Sequence, residues 1–118
     1  MSDLILPHIA PIKFAKAILQ TDENSAVVKI AYDEFPTIGM LIEAAAQSSA
    51  GISDKQNIGR MGFLVSLKDV KLLEEIKSYE YIAKIDLVSR LDNFKSLKFE
   101  IFEEERMIAK GSFAIILQ

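Results

Sequence analysis

Cysteine is absent from this chain and histidine occurs once. The first absence excludes a disulfide framework, a thiolate zinc site and a cysteine nucleophile, and it fits an intracellular protein. The second leaves His8, in "LPHIAP", outside any metal-ligand spacing, so no metal is expected and hydrogen bonding of a turn is its expected task. Charge of one sign is missing too. The 14 basic and 17 acidic residues are interspersed, and a net charge of -3 gives no electrostatic footprint for nucleic acid. No basic stretch followed by a long apolar segment opens the chain, and the apolar run at residues 38–52 is too short to cross a bilayer. A cytoplasmic protein without a membrane span is therefore expected. Repeats, low-complexity tracts and Pro/Gly/Ser-rich linkers do not occur, so residues 1–118 are read as one domain.

Hydrophobic residues make up half of the chain, enough for a core without staples. After Pro7 and Pro11, "IKFAKAILQ" reads as a first strand, "TDENS" as a turn, and "AVVKIAY" as a second strand paired with the first. Thr37 is placed to cap a helix that begins at Ile38, Asp33 and Glu34 lie where the helix dipole favours them, and Gly51 offers the stop. Apolar and small residues occupy nearly every side of that helix, so it is expected to be enclosed by protein. From residue 62 the period changes to two. In "YIAKIDLVSRL", Tyr81, Ala83, Ile85, Leu87 and Leu91 are expected on one face and Lys84, Asp86 and Arg90 on the other. "GFLVSLKDVKLL" and "LKFEIFEEERMIAKGSFAIIL" supply three more strands, with "EEER" at a hairpin. The expected fold is α+β: two strands, a helix, then four strands of a twisted antiparallel sheet wrapped around the helix. Open sheet edges make a dimer the simplest closed assembly.

Glu43 is the only ionisable residue between Ile38 and Ile52. A carboxyl in such surroundings is desolvated, which favours its protonated form and suits general acid work; Gln47 lies one turn on, within reach of a hydrogen bond. A purely structural polar contact is the competing reading. Gly39 lets a ligand approach the amide donors of the helix start, or serves close packing of helix on sheet. Met40, Leu41 and Ile42 are core formers or the lining of an apolar tunnel. Ser48 and Ser49 lack a nucleophile-elbow sequence and are read as packing or back-bonding residues. The glycines flanking Arg60 and Met61 form no phosphate-binding fingerprint, and no cofactor is expected.

"LPHIAPIKF" resembles the "LPHR-PF" segment of the β-hydroxyacyl-acyl-carrier-protein dehydratases, "FP…IEAAAQSSAG" resembles their "HFPG…VEAMAQ" helix, and "GFLVSLKDVK" is similar to the strand that follows it. The resemblance runs from Leu4 to about Leu117. It implies a single hotdog domain and dehydration of a 3-hydroxyacyl thioester on acyl carrier protein, with a histidine taking the α-proton, a helix carboxylate protonating the departing hydroxyl, and backbone amides polarising the thioester. Glu43 matches the carboxylate, whereas Glu34 stands where the histidine should be. The segment between Pro36 and Glu43 is shorter than in the main dehydratases, as in the dehydratase-like proteins of aryl polyene biosynthesis. Phe35, Gly39, Gln47 and Phe63 fall where substrate is bound, and Arg60, Lys68 and Lys71 are candidates for docking the acidic carrier. The resemblance leaves three functions open: a fatty acid or aryl polyene dehydratase-like subunit completed by a histidine-bearing hotdog partner, an acyl thioesterase using Glu43, and a non-catalytic acyl-carrier-binding subunit.

Overall fold

The structure is a computed structural model and describes residues 15–49 and 62–117. The apolar-rich run and the β-branched run after it form β1 (Ala15–Thr21) and β2 (Ser25–Ala31), paired antiparallel as expected. Their turn is held by Asp22, whose carboxylate accepts from the Asn24 amide at 2.8 Å and the Ser25 hydroxyl at 3.0 Å. These bonds, the Asn24 amide first, hold the Asp22 pKa below the ordinary carboxylate value. Along β2 the side chains of Ala26, Val28 and Ile30 are buried, and the same period carries Tyr32 inward just past the strand end.

The capped run folds as α1 (Ile38–Ser48), with Thr37 as its N-cap. Four strands follow: β3 (Gly62–Leu72), β4 (Glu80–Leu91), β5 (Phe94–Glu103) and β6 (Arg106–Leu117). The sheet is antiparallel throughout and runs β1-β2-β4-β5-β6-β3, which leaves β1 and β3 at its edges. Asp92-Asn93 and Glu104-Glu105 form the last two turns, with Asp92 and Glu104 at φ 53° and 56°; the "EEER" hairpin falls where it was expected. Helix α1 packs on β2 and β4 and reaches β1 and β5. Between helix and sheet lies the core of Val28, Ile30, Leu41, Tyr81, Ile85, Leu97, Phe99, Ile101 and their neighbours. Burial of each large apolar side chain contributes about 1.5–3 kcal/mol.

Three expectations are corrected: the faces of Leu91 and of Arg90, and the enclosure of α1. Leu91 does not face the core: a register shift between Leu87 and Ser89 inserts one residue in β4, so Leu91 pairs with Phe94 on the outer face and is 73% exposed. The same bulge turns Arg90 to pair with Lys95, a position on the inner face of β5. The helix ends at Ser48, ahead of Gly51, which lies outside the described residues; the Ser48 and Ser49 hydroxyls donate to the carbonyls of Ala44 and Ala46 at 2.7 and 2.6 Å. Nor is α1 enclosed on every side. Leu41, Ala44, Ala45, Gln47 and Ser48 are buried, Glu43 is half-buried, and Gly39 is exposed.

Candidate functional site

The start of α1 is fixed from two directions. Thr37 Oγ1 accepts from the Met40 amide at 3.2 Å, and the Thr37 amide donates to Met40 Sδ at 3.5 Å, a capping box closed by sulfur in place of a carboxylate. From the sheet side, the Tyr32 hydroxyl donates to the Met40 carbonyl at 3.0 Å, with the Tyr81 ring edge-on to Tyr32 at 6.2 Å. Burial, and the neighbouring Tyr81 after it, push the Tyr32 hydroxyl well above its ordinary pKa, so it remains a donor through the physiological range. With the Met40 and Leu41 amides bonded to Thr37, those of Ile38 and Gly39 have no acceptor inside the helix.

Gly39, Glu43 and Gln47 are spaced at i, i+4 and i+8 and so form one row along α1. At 100° per residue, Glu43 points well away from the sheet-facing stripe of Leu41, Ala44, Ala45 and Ser48. Exposure falls along the row, from open Gly39 through half-buried Glu43 to Gln47 at 1%. Neither Glu43 nor Gln47 is unpartnered. Among the described residues close packing does not account for Gly39: an added Cβ would meet only Thr37 Oγ1, at an ordinary 3.7 Å. The glycine therefore keeps open space beside the first-turn amides.

Glu34 is exposed just before the cap. Phe35 is exposed as well and stacks on Tyr79, with ring centroids 4.7 Å apart at 25°. The structure thus brings Glu34, Phe35 and Gly39 to one end of the helix and places Glu43 and Gln47 along it. Lys68 and Lys71 belong elsewhere: both are exposed on β3, on the sheet face turned away from α1. Phe63 opposes Ile116 in the β3–β6 ladder, while His8 and Arg60 lie outside the described residues. Among the described residues, no group of three or more His, Cys, Asp or Glu is placed to hold a metal ion, and no helix is long and apolar enough to cross a membrane.

Two polar residues escaped the sequence reading. Tyr32 continues the period-two pattern of Ala26, Val28 and Ile30, a signal that was present but attributed to the strand. Lys95 is 1% exposed, and stepping back by two from Leu97, Phe99 and Ile101 places it inside.

No family model matches this sequence, and no curated protein matches it. Solved structures do. The dehydratase heterocomplex ApeI:P from Xenorhabdus doucetiae superposes with a TM-score of 0.76 at 16% identity, covering 96% of this chain and 88% of that one. An HP0420 homologue from Helicobacter felis gives 0.75 at 18% identity over 98% and 85%. A phenylacetic acid degradation-related protein from Ralstonia eutropha, a candidate thioesterase, gives 0.66 at 17% over 85% and 83%. Among the described residues one helix lies on a six-stranded antiparallel sheet in the order β1-β2-β4-β5-β6-β3, and with fold likeness to these proteins over 85–98% of the chain this is a hotdog-fold protein.

Proposed function

We propose that this chain is a dehydratase-like hotdog subunit that binds 3-hydroxyacyl thioesters, supplies Glu43 as the acid, and works with a second hotdog chain that supplies the histidine. The observation that carries the reading is the Gly39–Glu43–Gln47 row, which leads from open amide donors at the helix start to a half-buried carboxyl and a buried amide. The first-turn amides of Ile38 and Gly39 would polarise the thioester carbonyl, acidifying the α-carbon. The partner's histidine removes the α-proton, the Cβ–O bond breaks as the double bond forms, and Glu43 delivers a proton so that hydroxide leaves as water.

Glu34 is a poor substitute for the histidine. A carboxylate is a weaker base than an imidazole, and acid–base assistance is worth ~10²–10⁴ in rate, so the chain alone forfeits most of that factor. A second chain is supported independently by the β3 edge. Leu64, Leu67 and Leu72 oppose Ile115, Phe113 and Ala109 on the helix side of the sheet, yet are 40%, 44% and 49% exposed. Another hotdog protomer laid along β3 would cover them, and the ApeI:P assembly named above is a heterocomplex.

The test is turnover of a 3-hydroxyacyl carrier substrate by this chain alone, by a histidine-bearing hotdog partner alone, and by the two together. The pair is expected to exceed either component, and Glu43→Gln in this chain to remove ~10²–10⁴ of the paired rate. Equal rates with and without this chain, or an unaffected Glu43→Gln pair, would overturn the proposal. Likeness to the candidate thioesterase favours a second reading, in which Glu43 activates water against the thioester. Free-thiol release by this chain alone, abolished in Glu43→Gln, would select it.

A further inference from the structure

Lysines outnumber carboxylates on the outer face of the sheet beside β3, where Asp86 opposes Lys98 one strand further in and exposed Asp69 lies between Lys68 and Lys71 in sequence. Lys68 on β3 opposes Ser112 on β6, which opposes Lys98 on β5; Lys71 directly opposes Lys110, which opposes Glu100. Lys68, Lys71, Lys98 and Lys110 are all exposed, and among the described residues none of them is in an ion pair. Like charges directly opposite on neighbouring strands repel, so the Lys71–Lys110 pair weakens the sheet at its own edge.

Two devices that discourage strand addition thus sit on β3: exposed lysines, and register shifts between Leu64 and Ser66 and between Lys68 and Lys71. Against them stand the uncovered leucines on the other face of the same strand, an apolar strip suited to being buried. Lysine deters a strand that carries lysine at the facing positions and attracts one that carries carboxylates. The two features agree if the edge is selective for its partner.

We propose that β3 receives an edge strand from a different chain, apolar on its helix-side face and carboxylate-bearing on its outer face, in preference to a second copy of this chain. In a two-fold self-pair, Lys68 and Lys71 of one copy would lie beside those of the other, each pair continuing a row that already holds Lys98 or Lys110. An acidic partner would instead neutralise Lys71 and Lys110 together. The inference rests on the pairing reading above and names the chemistry by which the partner is chosen.

The experiment starts from this protein and a charge-swapped copy, Lys68→Glu with Lys71→Glu. Sedimentation equilibrium of each alone and of the mixture, at about 0.05 M and about 0.5 M salt, reads the three associations with and without screening. In low salt the mixture is expected to associate about tenfold or more tightly than the wild-type chain with itself. High salt should tighten the wild-type self-pair and loosen the mixed one. The neutral variant Lys68→Gln with Lys71→Gln, checked for folding by circular dichroism, should self-associate more tightly than wild type in low salt and respond little to salt. Equal association in every combination would overturn the charge selection while leaving edge pairing intact. Tight wild-type self-association in low salt that weakens with salt would overturn it too. Absence of association in all combinations would sink the edge-pairing reading and this inference with it.

Discussion

Gly111 shows how little slack the interior has at a single position. A Cβ there would fall 2.8 and 2.9 Å from ring carbons of fully buried Phe99 and 3.0 Å from Val70 Cγ2. Gly111→Ala must push a packed ring aside, and a loss of about 1–3 kcal/mol is expected in urea unfolding. Tyr32 makes a different kind of contribution. Its hydroxyl holds the first turn of α1 through the Met40 carbonyl, so Tyr32→Phe should cost about 1 kcal/mol. It carries a pH signature as well. Because its folded pKa is raised, by burial first, the stability it contributes is full below the unfolded value near 10 and is lost as the solution becomes more alkaline. Urea midpoints should therefore fall above pH 10 in the wild type and fall less in Tyr32→Phe. Composition reveals neither residue. The inward period-two positions in β2 and β5 point to Tyr32 and Lys95, whereas the collision at Gly111 depends on which ring of a neighbouring strand faces it.

Among the elements, the start of α1 was the most legible, because the Thr37 cap is a local property of the chain, whereas its uncovered side depends on what packs around it. Thr37→Ala removes the side-chain acceptor for the Met40 amide and should cost about 1 kcal/mol, measured as a lower urea midpoint. The β1–β2 hairpin was legible for the same reason, since the Asp22 turn is written within five residues. Bonds from Asn24 and Ser25 depress the Asp22 pKa, so its contribution is present above the ordinary carboxylate pKa and disappears as acid titrates it. Between pH 5 and pH 2 the wild type should lose more stability than Asp22→Ala does. Strand β4 was misread at its far end. Its alternation is regular to Leu87, and nothing in "LVSRL" announces that the ladder with β5 gains a residue before Ser89. A bulge is settled by what two strands jointly satisfy, so Leu91 and Arg90 exchanged faces without a trace in either strand alone.

For the whole molecule, the order of the elements and the open sheet edges followed from hydrophobic pattern, while the side of α1 left uncovered did not. Glu43 stands out in the sequence because it is isolated among apolar residues of one helix. Its missing base does not, because under the proposed pairing that group belongs to another chain, and no pattern in this one encodes it. Under the same pairing this chain carries the complementary half of the contact. Leu67 opposes Phe113 on the helix side of β3 and remains 44% exposed. In the unpaired chain Leu67→Gln replaces a side chain already half in water, and stability should change by no more than about 0.5 kcal/mol. Against the charge-swapped copy the same substitution buries an amide with no partner provided for it, a cost of about 1–3 kcal/mol, or roughly five- to a hundredfold in association. A melting temperature held constant while sedimentation shows the mixed pair weakened would place the inner strip in the interface. Unchanged association would mean that the strip meets something other than a second sheet.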